Sequence, residues 1–280
     1  MKEVILNDSN KIPIVGFGTY NSTDQEAIES VKCAISNGYR LIDTATIYKN
    51  EAAVGKGIKA SGIPREEICV TTKLWREGLG YETTKIKLEK SLKSLSLDYI
   101  DLYLVHWPAN AKNYNNWQKT NADVWRAMEE LQAEGKIKSI GVSNFFQEHL
   151  DSLLQTAKVI PSVNQIEFHP GYWQPELVKY CKEQNIVVES WSPLARGKVF
   201  GNEVLEAISK KHNKSVSQIC LRWIIQHNVV AIPKSTSPKR IEENINLFDF
   251  QLSADEMIEI NNLPEMGFSG ELPNICPDRL

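Results

Sequence analysis

Asp43, Tyr48, Lys73 and His106 are the side chains in this chain whose types, taken together, can carry chemistry. Asp43 ends the apolar run of YRLID, Lys73 ends CVTTK, His106 ends YIDLYLVH, and Tyr48 lies just past the Asp43 strand. Strand exits of a closed parallel barrel all open on one face, which is where such a fold places its chemistry. A phenol can hydrogen-bond a carbonyl oxygen and give it a proton. It titrates near 10 in isolation, so it needs electrostatic help to exchange that proton. Lys73 can supply that help by favouring the phenolate, and Asp43 can pair with Lys73 and limit the cost of a desolvated ammonium. His106 can donate a hydrogen bond that orients the carbonyl. Such a set polarises a carbonyl without a metal but contains no transferable hydride, so reduction of an aldehyde or ketone would require a nicotinamide cofactor.

Taken singly, none of the four is diagnostic. Asp43 can cap the next element, Tyr48 can pack its ring, Lys73 can be strand-end charge, and His106 can be a hydrogen-bonded core residue beside Trp107. Their weight comes from the elements that would bring them together. VILN and KIPIVG flank the polar turn Asn7 to Asn10 and read as a hairpin covering one end of the fold. Val15 to Tyr20 reads as the first barrel strand. YRLIDTA, ICVTTKL, YIDLYLVHW, IKSIGVSN, SVNQIEF, IVVESW and VVAIPKS then bring the total to eight.

Helical stretches separate these strands. The first starts near residue 24, where Thr23 and Glu26 have capping-box spacing and Gly38 supplies a stop. Others fall near 50–61, 81–96, 118–134, 146–157, 174–184 and 202–227, and two accessory pieces follow the last strand near 237–246 and 253–262. Alternating short strands and helices imply right-handed parallel crossovers, and eight such strands can close and remove both sheet edges. The expected fold is therefore α/β, a (β/α)8 TIM barrel with an N-terminal β-hairpin, in one domain over residues 1–280. A doubly wound open sheet is disfavoured, because the glycine pair Gly16 and Gly18 lacks the third glycine of a dinucleotide turn.

Length and composition agree with a single large core: 280 residues, 42% of them hydrophobic. A formal charge of -3 gives no basic surface for nucleic acid or an acidic membrane. MKEVILNDSN has no sustained apolar run, and no stretch is long enough to span a bilayer, so the expectation is a cytoplasmic protein. Cys33, Cys69, Cys181, Cys220 and Cys276 form no close pair and read as reduced thiols. Asn213-Lys214-Ser215, like two other matches to the glycosylation pattern, reads as a chance match without a secretion signal. The five histidines form no compact ligand motif, and neither H-E-x-x-H nor G-x-S-x-G occurs, so a metalloenzyme or serine hydrolase has little support. The segment 108–120, polar but holding Tyr114 and Trp117, is expected at the pocket rim, and the tail from Met266 either crosses the same barrel end or hangs loosely.

GYRLIDTATIYKNEAAVG, VTTKLW, LVHWP, GVSNF, QIEFHP, WSPLARG and IPKS follow one another in an order that resembles the aldo-keto reductase family. The likeness runs from the hairpin almost to the end and is closest to bacterial reductases of small aldehydes, methylglyoxal or diketogluconate. It implies an NADPH-preferring barrel oxidoreductase acting as a monomer, with Asp43, Tyr48, Lys73 and His106 as the catalytic tetrad. It further implies that Ser143, Asn144 and Gln165 hydrogen-bond the nicotinamide carboxamide and that Trp191, where many members have tyrosine, stacks on its ring. Ser192, Leu194 and Gly197 are expected to touch the cofactor, with Glu243 and Asn244 at its adenine.

IPKSTSPKR is informative by itself, because Lys234, Ser235 and Arg240 flank a helix start and can hold a dianionic phosphate. The resemblance assigns them the adenosine 2'-phosphate of NADPH or NADP+. Tyr20, Ile47, Trp75, His106 and Trp107 are the expected substrate contacts, with His169 and Trp173 as further rim or floor candidates, around a small carbonyl compound. The competing expectation is a nucleotide-binding regulatory barrel with little turnover, against which the intact tetrad argues.

Overall fold

The computed structural model describes residues 2–274, so Cys276 and the end of the tail lie outside it. The chain opens with an antiparallel hairpin of β1 (Glu3–Ile5) and β2 (Lys11–Pro13), in register Val4 to Ile12. Eight further strands follow: β3 (Phe17–Gly18), β4 (Leu41–Asp43), β5 (Cys69–Leu74), β6 (Ile100–Val105), β7 (Ile137–Ser143), β8 (Val163–Glu167), β9 (Val187–Trp191) and β10 (Val230–Ala231). Each is parallel to the next in chain order.

The two ends of this sheet meet. Val15 bridges Ala231 in parallel, Gly16 donates to the Ala231 carbonyl at 2.8 Å, and Gly18 donates to the Pro233 carbonyl at 3.0 Å. The sheet therefore curls into an eight-stranded parallel barrel, in which no edge is left for pairing with another chain. The expected first strand from Val15 to Tyr20 is shorter than its apolar run, because only Phe17–Gly18 pairs as a ladder with β4.

Helices surround the sheet: α1 (Asp24–Ser36), α2 (Glu51–Ala60), α3 (Tyr81–Leu95), α4 (Trp117–Ala133), α5 (Gln147–Leu154) and α6 (Pro175–Glu183), then α7 (Glu203–His212) and α8 (Val216–Gln226). After β10 come α9 (Pro238–Ile245) and α10 (Ala254–Asn261). Thr23 caps α1 reciprocally with Glu26, which satisfies two backbone donors the helix cannot satisfy itself. The stretch 202–227 is two helices rather than one. Asn213 ends α7 in the left-handed region at φ 51°, and Ser215 starts α8 with a capping box to Gln218. The Asn213-Lys214-Ser215 triplet is thus a helix stop and a helix start. Among the described residues no helix is long and apolar enough to cross a membrane.

The barrel interior is filled in two parts. Toward the strand starts, Leu41, Leu102, Leu104, Val163 and Val230 pack with Leu6 and Ile12 of the hairpin, which plugs that end. Asn7 and Asn10 fasten the plug, donating to the Pro161 carbonyl at 3.0 Å and to Ser139 Oγ at 3.0 Å. Gly141 is required here: a Cβ at this position would come within 2.7 Å of Leu104 Cδ2 and of the Val163 carbonyl oxygen. Toward the strand ends the interior turns polar, and the catalytic candidates lie there.

Candidate active site

Three consecutive strands deliver the first members of the site. Asp43 is the last residue of β4 and pairs in register with Thr71, two residues before Lys73 on β5. His106 follows β6, and its N–H bonds to the Leu74 carbonyl at 3.0 Å. Tyr48 stands on the single helical turn Thr46–Tyr48 after β4. Thr46 Oγ1 donates to the Lys73 carbonyl at 2.9 Å, so this turn is pinned to the strand that carries the lysine.

Lys73 Nζ lies 2.6 Å from Asp43 Oδ1, 2.9 Å from the Thr44 carbonyl and 3.5 Å from the Tyr48 hydroxyl, and Lys73 is fully buried. The Tyr48 and His106 rings meet edge-on at 5.8 Å, with Tyr20 against Tyr48 at 5.1 Å and Trp75 against His106 at 5.2 Å. The tetrad is therefore one contiguous cluster.

Its electrostatics set the protonation states. Burial works against charge on Lys73, but Asp43 and Tyr48 outweigh it and hold the ammonium above the ordinary lysine range. Burial pushes the Tyr48 phenol up to about 12, and Lys73 offsets only part of that rise. Lys73 favours the phenolate, as its charge requires, but desolvation is the larger effect, and Tyr48 rests as a protonated acid. Burial, and then the Lys73 charge, push His106 well below its usual value, so the imidazole is neutral.

The tetrad opens onto a cavity of about 560 Å³ that reaches from Asp43, Tyr48 and His106 along Trp191 to Lys234, Ser235 and Arg240. Asn144, in the left-handed region at φ 61°, donates to the His106 carbonyl at 2.9 Å and accepts from Trp191 Nε1 at 2.8 Å. The flat indole is thereby locked, through Asn144, to the backbone of His106. Ser192, Leu194 and Gly197 line the same cavity, beside backbone in the left-handed region at Ser192 (φ 51°) and Arg196 (φ 52°). At the far end Arg240 Nε reaches Ser235 Oγ at 3.3 Å, and α9 starts with Pro238 at its head. Two cationic side chains, Lys234 and Arg240, thus face a hydroxyl and a helix N-terminus, a donor set that suits a phosphate.

Several expected residues do not line this cavity. Ser143 Oγ already donates to the Gln165 carbonyl at 2.8 Å behind the wall, and Glu243 is taken up by the Ser215 hydroxyl, leaving Asn244 at that end. Ile47 and Trp75 stand outside the lining, with Trp75 acting through its edge contact to His106. His169 is fully buried against Glu167 and the Pro170 carbonyl, and Trp173 packs on Trp223 and His227, so neither forms rim or floor. The 108–120 segment is not in the lining either. Tyr114 bonds to the backbone of Arg76 and Leu79, and Trp117 packs on His149, which draws the loop aside.

The described part of the tail, up to residue 274, is docked instead. Phe268 stacks on Tyr172 at 4.4 Å, Ser269 Oγ donates to Glu167 at 2.7 Å, and Asn110 donates to the Pro273 carbonyl at 2.8 Å. Glu271 reaches the cavity and meets Arg196 at 3.4 Å.

Sequence reasoning missed Arg196, Glu271 and, deeper, Glu189. Arg196 sits inside WSPLARG and was open to notice. Glu189 was also open to notice, as a lone acid inside the apolar strand IVVESW. Glu271 stands in a tail without periodicity and gave no signal.

The parallel barrel, with Asp43, Tyr48, Lys73 and His106 clustered at its strand exits, is that of a known class of oxidoreductase. The pattern of the Aldo/keto reductase family matches residues 14–265. The chain belongs to this family. It is 53% identical over 261 residues to glyoxal reductase of Bacillus subtilis (strain 168), covering 93% of this chain and 92% of that protein. It is 47% identical over 279 residues to 9,11-endoperoxide prostaglandin H2 reductase of Trypanosoma cruzi (strain CL Brener), covering 98% and 96%. Among solved structures, a Gox0644 variant in complex with NADPH superposes with a TM-score of 0.92 at 39% identity, covering 99% of this chain and 98% of that one.

Proposed function

We propose that the protein reduces small aldehydes, dicarbonyls and oxidised sugars to alcohols with NADPH. One observation carries this reading. The buried Lys73–Asp43 pair has Tyr48 in reach of its ammonium, and this cluster opens onto the cavity whose other end holds Lys234, Ser235 and Arg240. The residues fit a dinucleotide phosphate. Trp191 offers a flat face, Gln165 and Asn144 offer polar atoms beside it, and Lys234, Ser235 and Arg240 offer a site for a 2'-phosphate. Bound NADPH would supply the hydride.

The chain's own residues do the rest. His106, neutral, offers one ring N–H to the carbonyl oxygen and draws electron density away from carbon. Tyr48 gives its hydroxyl proton to that oxygen as negative charge develops there. Lys73, held cationic by Asp43, stabilises the phenolate that remains. Tyr20, Trp107 and the edges of Tyr48 and His106 make an aromatic mouth that can pack against a planar carbonyl group. The glyoxal reductase relative supports the dicarbonyl range, while the prostaglandin reductase relative, at comparable identity, argues for broad acceptance rather than a single substrate.

The test is loss of NADPH absorbance with glyoxal, methylglyoxal and a panel of simple aldehydes, run in parallel with NADH. Turnover with several of these and preference for NADPH are expected. Cofactor binding without turnover of any carbonyl would contradict the reading.

A further inference from the structure

Glu189 is a buried carboxyl of the barrel that the proposed reaction does not use. It lies on β9 in register with Gln165 on β8 and Val230 on β10, and it is fully buried. Its Oε2 accepts from Gln165 Nε2 at 2.9 Å, and the same nitrogen donates to Asp43 Oδ2 at 2.9 Å. A primary amide nitrogen carries two hydrogens, and here both are taken by carboxyl oxygens. The reverse orientation would set the amide oxygen against the Asp43 carboxylate, so the flip is dictated by charge. What Gln165 has left is its carbonyl oxygen, which makes no hydrogen bond among the described residues, and Gln165 lines the cavity.

A carboxyl buried this deeply is expensive to keep. Burial, then the nearby Asp43, raise its pKa to about 7, and its Oε1 has no partner among the described residues. Asp43 alone would hold one amide hydrogen and leave the other free to turn toward a ligand. Glu189 removes that second choice.

We propose that Glu189 is a positioning residue: by taking the second amide hydrogen of Gln165, it leaves Gln165 with only its carbonyl acceptor to present to the cofactor cavity, so that this position selects a nicotinamide carboxamide through its N–H donor. The inference rests on the NADP(H) reading above. Glu189 touches neither cofactor nor substrate and acts through Gln165.

The probe is an NADP+ analogue in which the carboxamide is replaced by an acetyl group, which keeps the carbonyl acceptor but has no N–H. Dissociation constants for NADP+ and this analogue are measured by titration, without substrate. They are taken for the wild type and for Glu189→Gln, Glu189→Leu and Glu189→Met. The wild type should favour NADP+ by about threefold to tenfold, the worth of one neutral hydrogen bond. Glu189→Gln retains an acceptor and should keep that ratio. The Leu and Met variants free an amide hydrogen for the analogue's carbonyl, and the ratio should fall toward one. Either apolar variant suffices if the other does not fold. Arg240→Ala should weaken both ligands alike and leave the ratio unchanged. An unchanged ratio in a folded Leu or Met variant, or a ratio near one in the wild type, overturns the role of Glu189 while leaving NADP+ binding intact. No NADP+ binding by the wild type would remove the cofactor reading and this inference together.

Discussion

The two ends of the barrel are built from the same strands and hold opposite contents. At the hairpin end, Leu41, Val163 and Val187 meet Leu6, Ile12 and Leu102 in an apolar plug. Two residues further along those strands, Leu41 gives way to Asp43, Val163 to Gln165 and Val187 to Glu189. Two residues is one strand repeat, so both members of each pair point to the same side of the sheet. The difference teaches where stability and chemistry are separated. The apolar end gains from burial at roughly 25 cal/mol per Å² and buries no ion pair among the described residues, with the asparagines of the hairpin turn bonded at its rim. The open end buries an ion pair, a second carboxyl and a histidine, groups that cost solvation and are held by mutual contacts. The candidate catalytic groups at the mouth are thus supported by a plug that lies away from them.

Substitutions at the two ends should fail in different ways. Lys73→Met should show the largest effect, losing carbonyl reduction and about 3–5 kcal/mol of stability together, since it leaves Asp43 buried without its partner. Denaturant melts alongside turnover would check this, and an active, stable Lys73→Met protein would break the comparison. Leu102→Ala at the plug should cost about 2–5 kcal/mol by opening a cavity, yet leave KM and kcat near wild type below its melting point. Arg240→Ala should cost about 1.5–3 kcal/mol of NADPH binding, roughly tenfold to a hundredfold in Kd, and little for NADH. Equal weakening of both cofactors would mean that Arg240 braces the loop through Ser235.

The smallest effect is in pH dependence. The Glu189 pKa is raised from 4.5 to about 7, so across that window the folded protein holds a proton that the unfolded chain releases. Its contribution is fully present below the unfolded value and is lost as pH rises through the folded one. Between pH 5 and pH 8 the wild type should therefore lose about 1–3 kcal/mol that Glu189→Gln does not. Parallel melts for the two proteins would show no difference if Glu189 were ionised throughout.

Much of this was legible in the residues. Strand exits were marked by the change from apolar run to Asp43, Lys73 and His106, and alternation with helices implied one mouth for all of them. The helix break at Asn213 and Ser215 was passed over because apolar spacing continues from Ile208 across to Ile219, while the stop and start are single polar residues. Ser143 and Glu243 fit a pattern of types, while their hydrogen bonds to the Gln165 carbonyl and the Ser215 hydroxyl span long sequence separations that no local pattern encodes. His169 and Trp173 were aromatic residues near a strand exit, and packing against Glu167 and Trp223 turned them inward. The docking of the tail depends on contacts of Phe268 and Ser269 across long sequence separations, which no local pattern encodes.

The claim at the centre is that Tyr48 gives the proton. The most direct measurement is steady-state reduction of methylglyoxal by Tyr48→Phe, with NADPH affinity measured on the same preparation. The ring and its contacts to Tyr20 and His106 stay, and only the hydroxyl near Lys73 is removed. A fall in kcat/KM of about 10²–10⁴, with NADPH affinity and melting temperature close to wild type, is the expected result. Near wild-type turnover by the folded variant would contradict the account.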